Sequence, residues 1–218
     1  MIARTVAGAR ALVDSVLVAT REPERAVFLT AHDVTALARV FGWQRSLQVA
    51  EPLTLPMLAG RALRAKNPAL VVALAGGTAA QLVRARTPEA AGAAAVAATA
   101  TQHLGYAAAL TGQNWPGFAV RAGLVAGGLG LALAKNRRVA AATAAGGLPL
   151  AWVGAAANDP RTATPGTSHG SNLMFAGEGL NLLRATLLPG NPLISTAAVS
   201  LGLVGQMLLV DGVTRKTR

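Results

Sequence analysis

The residue of this sequence with the clearest chemical potential is Glu178, a carboxylate near the middle of an apolar stretch. The stretch covers residues 170–188 and reads GSNLMFAGEGLNLLRATLL. A carboxylate inside a membrane helix costs free energy, so its presence indicates a functional site. Positions 174, 178 and 181 share one helix face, which predicts that Glu178 and Asn181 point together into a helix bundle or a wet cavity. The alternative is that Glu178 pairs with a buried arginine and only fixes the packing.

A second set of polar residues lies in an Ala-rich segment, where Thr99, His103 and Tyr106 are spaced by four and three residues and share a face. The alternative to a site is that His103 and Tyr106 only hydrogen-bond between helices. His32 and His169 are far from His103 in sequence, so a metal ion could bind only where distant residues converge. The sequence has no cysteine, and it shows no P-loop, dinucleotide fingerprint or nucleophile elbow. No cofactor and no metal are therefore expected.

The composition indicates which elements position these residues. Apolar residues make up 52% of the 218 residues and charged residues 13%, whereas ordinary soluble domains carry about 25% charged residues. Several segments of about 17 to 20 residues have no charge near their centre, which is the length that crosses a bilayer core. The sequence therefore predicts an all-α fold, a polytopic membrane helix bundle with about eight short transmembrane helices. The alternative is a soluble Ala-rich helical protein.

The net charge of +11 indicates which kind of partner and which membrane to expect. The Lys and Arg residues are spread over the segment ends and aromatic residues are only 4%, a pattern that anionic lipid headgroups explain better than nucleic acid. Membrane lipids are thus the expected partners, in the plasma (cytoplasmic) membrane. With eight spans both termini lie on one side, which collects 12 of the 20 Lys and Arg residues and favours cytoplasmic termini.

The chain divides into an N-terminal extension, residues 1–24, and a single transmembrane domain, residues 25–218. Arg10 and Asp14 interrupt the apolar run of the extension, which is typical of an interfacial helix; a cleaved leader is the alternative. The predicted spans are residues 26–41, 48–63, 68–83, 89–110, 117–134, 139–157, 170–188 and 193–213. The first is the weakest, because His32, Asp33 and Arg39 lie inside it, and without it seven spans remain.

Short connections predict that sequential helices pack as antiparallel neighbours. Residues 158–168, rich in Pro, Thr, Gly and Ser, predict an exposed loop. A GxxxG pattern at Gly123 and Gly127 predicts a close helix contact.

Short polar motifs follow one another along the chain at residues 51–58 (EPLTLPML), 77–78 (GT), 103–106 (HLGY), 170–178 and 205–206 (GQ). In their order and spacing the chain resembles the YhhN family of membrane proteins, which includes lysoplasmalogenases, over about residues 25–213. The chain departs from the family pattern at Glu51, where the family has Lys, and at Thr78 and Glu178, where it has Asp.

The resemblance implies hydrolysis of the vinyl-ether bond of lysoplasmalogens, giving a fatty aldehyde and a glycerophospho-headgroup. Such a site needs a protonated carboxylic acid and a second group that stabilises the cation and positions water. Glu178 is the expected proton donor, and His103 or Glu51 the second group. The expected substrate-binding residues are Tyr106, Asn181, Thr78, Gln206 and Arg184, and Arg61 is a further candidate for holding a phosphate.

Other functions remain open at this stage. An alternative for Glu51 is that it only pairs with an arginine at the membrane interface. The loss of a carboxylate at Thr78 favours a non-catalytic lipid-binding or scaffold protein of the same fold. A small transporter would predict an internal repeat or paired broken helices. Pro56 breaks one half of the chain, but the other half shows no counterpart.

Overall fold

The computed structural model describes residues 2–86 and 92–216, without the side chains of residues 2–4 and 216. All regular structure in these residues is helical, which confirms the all-α prediction. The helices are α1 (Ile2–Leu17), α2 (Pro23–Phe41), α3 (Gln44–Arg64), α4 (Pro68–Arg86), α5 (Ala93–Ala109), α6 (Trp115–Lys135), α7 (Ala140–Ala157), α8 (Pro165–Thr186) and α9 (Pro192–Lys216). Single 3₁₀ turns, Val18–Thr20 and Arg137–Val139, precede α2 and α7. The predicted start of the fourth span, Glu89, lies outside the described residues.

Local signals set several helix ends. Gly42, with a φ of 72°, ends α2 in the left-handed conformation that glycine adopts without strain. The hydroxyl of Thr164 accepts from the Thr167 amide while the Thr167 side chain accepts from the Thr164 amide, and Pro165 stands at the first helical position. This capping box starts α8 five residues before the predicted segment. The predicted loop over residues 158–168 is therefore wrong in its second half.

Glycines allow the closest helix contacts. A Cβ atom at Gly170 of α8 would lie 2.5 Å from the carbonyl oxygen of Gly205 in α9, and one at Gly177 would lie 2.7 Å from that of Ala198. Gly105 of α5 lies equally close to α4, where a Cβ atom would be 2.6 Å from the Ala73 amide nitrogen. Since any side chain at these positions would collide with backbone, the spacing of α8 to α9 and of α4 to α5 depends on glycine.

The predicted close contact of the GxxxG pattern in α6 is wrong within the described residues. A Cβ atom at Gly123 or Gly127 would meet no atom within 4 Å. The same helix exposes large apolar side chains, Val120 and Leu124 among them. α6 thus lies at the edge of the bundle, with Gly123 and Gly127 turned away from the other helices.

Most consecutive helices pack side by side, as expected, but α5 is an exception. It packs chiefly against α4 and α7 and not against α6. The ring of His103 in α5 reaches the carbonyl oxygen of Gly146 in α7, and this contact joins the two helices. α9 packs against α8 and also against α2 and α3, so it closes the bundle. The core lies between these helices, with Phe28, Leu55, Leu74, Leu150 and Met207 among its buried side chains.

Among the described residues, four helical segments are long and apolar enough to cross a membrane: Pro68–Arg86, Trp115–Lys135, Arg137–Ala157 and Pro192–Arg215. Only 11% of the α6 segment is buried in the bundle, so a long apolar helix faces the surroundings. The four helices are compatible with a membrane-embedded protein. α5 has 17 residues, and α2, α3 and α8 do not meet the same requirements of length and composition.

Candidate functional site

Three polar side chains meet in the interior between α5 and α9. Gln206 Oε1 accepts a hydrogen bond from Gln102 Nε2 at 2.6 Å and another from the Tyr106 hydroxyl at 3.0 Å. All three residues are buried, Tyr106 completely. We call them the Gln206 network. Two predicted substrate-binding residues, Tyr106 and Gln206, are thus brought together.

The Gln206 network depends on two neighbouring glycines. A Cβ atom at Gly77 of α4 would lie 2.5 Å from Gln102 Nε2, and one at Gly205 would lie 2.6 Å from the Gly170 carbonyl oxygen. Gly77 therefore leaves room for the Gln102 side chain of the network, and Gly205, next to Gln206, lets α9 approach α8. Gln102 was not among the predicted site residues. Its position four residues before Tyr106, on the same helix face, is the signal that could have identified it.

His103 connects α5 to α7. Its ring is buried, and Nδ1 lies 2.8 Å from the carbonyl oxygen of Gly146. A carbonyl oxygen can only accept, so Nδ1 carries the proton of this hydrogen bond and Nε2 is the nitrogen that can accept one. The charge of Glu178 on α8 acts on the ring of His103. No hydrogen bond or ion pair joins Glu178 to His103, so the structure does not bring these two predicted catalytic residues into contact.

Glu178 itself is exposed on the surface of the bundle, so the expectation that it is buried with Asn181 is wrong. The glycine contacts explain its position. Gly177, which lies against the Ala198 carbonyl, occupies the centre of the face that α8 turns to α9. The next residue is rotated by about 100° around the helix and points away from that face. Asn181, one turn after Gly177, is half-buried.

A second polar group lies where α2 ends and α3 and α9 begin. The Arg39 guanidinium pairs with the Glu51 carboxylate and also donates to the Ser195 hydroxyl at 3.1 Å. We call these residues the Arg39 group. Pairing with an arginine, the alternative considered for Glu51, is therefore what the structure shows.

Arg184 of α8 belongs to the same region, because the charges of Arg39, Arg84 and Glu51 act on it. Its Nε is buried and has no hydrogen-bond partner among the described residues. A buried N–H without an acceptor costs free energy, so this atom could hydrogen-bond to a ligand oxygen. Thr78, by contrast, is half-buried and donates its hydroxyl to the Leu74 carbonyl of its own helix at 2.8 Å.

Arg61, the further candidate for phosphate, lies in a different cluster. Asp211 Oδ1 is 2.5 Å from Arg25 Nη2 and 3.1 Å from Arg61 Nη1. We call these three residues the Asp211 cluster. Arg25 and Arg39 lie fourteen positions apart in α2, which is about 21 Å along a helix axis. The Asp211 cluster and the Arg39 group therefore occupy opposite ends of the bundle, and Arg61 cannot share a phosphate with Arg184.

Comparison of the chain with family models, curated proteins and solved structures found no match. The described residues also contain no group of three or more His, Asp or Glu side chains arranged to hold a metal.

Proposed function

We propose that the chain is an integral protein of the plasma membrane with eight spanning helices, α2 to α9, and with both termini in the cytoplasm. The two ion-paired ends support this topology. The Asp211 cluster joins the start of α2 to the ends of α3 and α9, and the Arg39 group joins the end of α2 to the starts of α3 and α9. The helices α2 and α3 thus run in opposite directions, as eight sequential spans require, with α9 parallel to α3.

For its activity we propose hydrolysis of the vinyl-ether bond of lysoplasmalogens, as the resemblance to the YhhN family implies. The observation that carries this proposal is that an exposed carboxylate, Glu178, stands on the same helix as Arg184, whose buried Nε has no hydrogen-bond partner among the described residues. A single-chain lipid in the bilayer can reach Glu178 from the surface of the bundle. Arg184, with its buried Nε lacking an acceptor, would hold the phosphate of such a lipid.

Glu178 and His103 share the proton transfers of the proposed reaction. The Glu178 carboxyl transfers its proton to the vinyl carbon remote from the ether oxygen, which leaves an oxocarbenium ion. Water adds to the carbon beside the oxygen and gives its proton to His103 Nε2. The hemiacetal then collapses: His103 returns that proton to the departing glycerol oxygen, and the Glu178 carboxylate takes the proton of the hemiacetal hydroxyl. One water is consumed, and aldehyde and glycerophospho-alcohol are released.

Aldehyde release from a lysoplasmalogen by the purified protein in detergent tests this proposal. Glu178→Gln should lower the rate by about a hundredfold or more, because general acid catalysis typically contributes that much. Asp33→Asn is the matched control, since it neutralises an exposed carboxylate in α2 that pairs with its neighbour His32. Equal rates for wild type and Glu178→Gln would contradict the assignment of Glu178.

A second function, lipid binding without hydrolysis, is favoured by one observation. Of the two candidate carboxylates, Glu51 is already paired with Arg39, so Glu178 alone remains for acid chemistry. A folded wild type that binds a lysophospholipid at an Arg184-dependent site and releases no aldehyde would establish this function instead.

A further inference from the structure

Arg121 of α6 is a half-buried cation without a counter-ion among the described residues. Its Nη2 donates to Asn172 Oδ1 of α8 at 2.8 Å, and its Nη1 donates to the Gly117 carbonyl oxygen at 3.2 Å. Both acceptors are neutral, and no neighbouring charge acts on the guanidinium. A guanidinium has five N–H donors, so donors remain for another acceptor. An uncompensated charge in a spanning helix costs free energy, and an anionic ligand would remove that cost.

The surrounding helices fix the position of the Arg121 guanidinium. The side chain lies against Gly154 of α7, where a Cβ atom would be 2.5 Å from Arg121 Nε. The hydrogen bond to Gly117, one turn earlier in α6, directs the guanidinium towards the start of the helix. A donor group that is held in this way loses little conformational entropy when it binds a ligand.

Asn172 supplies a second donor beside the guanidinium. Its Oδ1 accepts from Arg121 and lies 3.3 Å from Nδ2 of Asn158, whose own Oδ1 accepts from the Ser168 hydroxyl. These contacts turn the oxygen of the Asn172 carboxamide towards its neighbours, so its Nδ2 is the group left to donate outwards. Asn172 is exposed. A ligand oxygen at this surface therefore meets a guanidinium and a carboxamide N–H group side by side.

Aromatic side chains indicate the depth of this pair in the membrane. Trp115, Phe118 and Trp152 form a cluster at the start of α6, with ring centroids 5.1 to 6.1 Å apart. The Trp115 side of this cluster is exposed, as is typical of tryptophan at a membrane interface. Arg121 comes about 9 Å after Trp115 along the helix axis, and its side chain reaches back towards that level. The guanidinium thus lies where lipid phosphates are found.

The surface of α6 beside Arg121 is apolar. Val120 and Leu124 are among its most exposed side chains, at 67% and 61%. Leu124 lies one turn further from the helix start than Arg121, on the adjoining face. A cation at headgroup level beside an exposed apolar surface complements a lipid with an anionic headgroup and acyl chains.

We propose that Arg121 and Asn172 bind the phosphate of an anionic membrane phospholipid such as phosphatidylglycerol. The guanidinium and the Asn172 amide donate to the phosphate oxygens, and the acyl chains lie along Val120 and Leu124. The net negative charge of this lipid compensates the guanidinium, whereas a zwitterionic headgroup brings a second cation. Asn172 is about 18 Å from Arg184 along α8, so this site is separate from the phosphate contact proposed for hydrolysis. The inference rests on the proposed membrane location and not on hydrolysis.

Native mass spectrometry of the full chain in detergent, with equal amounts of phosphatidylglycerol and phosphatidylcholine of identical acyl chains, tests the proposal. Wild type should retain the glycerol lipid about fivefold more, because compensation of one charge at a membrane surface changes binding by about that factor. Equal retention of the two lipids would overturn the proposal. Recovery of the chain from membranes only with detergent establishes the membrane location beforehand, so equal retention would count against this site alone.

Matched variants locate the site. Arg121→Gln should remove most of the preference, whereas Arg161→Gln removes an exposed arginine between α7 and α8, at the same end of the bundle, and should keep it. Asn172→Asp keeps the guanidinium and gives it a carboxylate partner, so it should lose the preference in a folded protein even where Arg121→Gln destabilises the bundle. An unchanged preference in Asn172→Asp or in folded Arg121→Gln would overturn the proposal. An equal loss in Arg161→Gln would do so too, because it would indicate an effect of net charge alone.

Glycerol phosphate distinguishes a membrane lipid from a soluble phosphate ester. At millimolar concentration it should leave the retained lipid in place, because it has no acyl chains to pack against Val120 and Leu124. Displacement of the lipid from wild type would assign Arg121 to a soluble phosphate ester and overturn the assignment to a membrane lipid.

Discussion

The carboxamide oxygen of Gln206 is the single acceptor for two buried donors, Gln102 and Tyr106. Replacing Gln206 by Leu leaves both donors without an acceptor in the interior, so the free energy of unfolding should fall by about 2 kcal/mol or more. Tyr106→Phe removes one donor and leaves the Gln102 hydrogen bond in place, so it should cost about 1 kcal/mol. Denaturant titration in detergent measures both; a larger loss for Tyr106→Phe would contradict this view of the network.

The ion pairs at the start of α2 should differ strongly in their contribution to stability. Asp211→Ala leaves the buried guanidinium of Arg25 without its partner and should lower the free energy of unfolding by about 3 to 5 kcal/mol. Glu24→Ala removes a partly exposed partner of Arg64 and should cost at most about 1 kcal/mol. Equal losses in the same unfolding assay would show that the Asp211 cluster is solvated.

The small contribution of Glu24 should also depend on pH. A hydrogen bond with its own backbone amide, and then one from Arg64, holds the pKa of Glu24 below its usual value. The stabilisation is therefore fully present above the ordinary carboxyl pKa and is lost as the pH falls through the lowered value. An acid titration measures the difference in free energy of unfolding between wild type and Glu24→Gln. This difference should disappear below that pH and stay constant at neutral pH.

At the scale of helices, the α8–α9 contact is the one most sensitive to a single methyl group. Gly170→Ala would place a Cβ atom 2.5 Å from the Gly205 carbonyl oxygen, so the helices must separate and the protein should lose several kcal/mol of stability. Gly179→Ala, on the same helix, meets nothing within 4 Å and should stabilise the protein by up to about 1 kcal/mol through helix propensity. Thermal unfolding in detergent compares the two, and similar melting temperatures would contradict the close contact.

This contact also shows what sequence patterns could and could not predict. A GxxxG pattern stands in α6, where Gly123 and Gly127 contact no other helix, while the glycines that pack closely are Gly170 and Gly177 of α8. Small residues permit a close approach but do not specify a partner. The choice depends on the side chains of the second helix, here the glycines of α9, which local sequence does not reveal.

The same limit applies to the candidate site. That Tyr106 and Gln206 lie in the interior could be predicted, because polar residues in apolar helices avoid lipid. The exposure of Glu178 could not, because helical spacing gives the residues that share a face but not which face α9 covers. Its neighbour Gly177 packs against the Ala198 carbonyl, and this contact turns Glu178 to the surface of the folded chain.

At the scale of the whole molecule, the positions of the helices could largely be predicted from apolar segments and Pro or Gly boundaries. Their arrangement could not, since α5 skips α6 and packs against α7. The contact between His103 and the Gly146 carbonyl, which joins α5 to α7, links residues 43 positions apart. The prediction of antiparallel packing considers only helices that are neighbours in sequence. It does not hold for α5 and α6, because α5 packs against α7 instead.

The absence of cysteine allows a direct test of the proposed eight-span topology. Single cysteines at the exposed positions Arg137 and Pro189 should be labelled from one side of the membrane, and a cysteine at Arg161 from the other. A membrane-impermeant maleimide on intact and on lysed cells provides the measurement. Labelling of all three from the same side would contradict eight spans.

The pairing of Arg25 with Asp211 has a consequence for how the protein is made. The two residues are separated by 186 positions, so the ribosome completes six further helices, α3 to α8, and most of α9 before the carboxylate exists. Throughout that interval the nascent bundle carries a cation without its counter-ion near the start of α2. Chains interrupted before α9 keep this defect permanently, and we expect the cell to degrade them faster than the finished protein. α9 thereby supplies the counter-ion that the preceding helices lack.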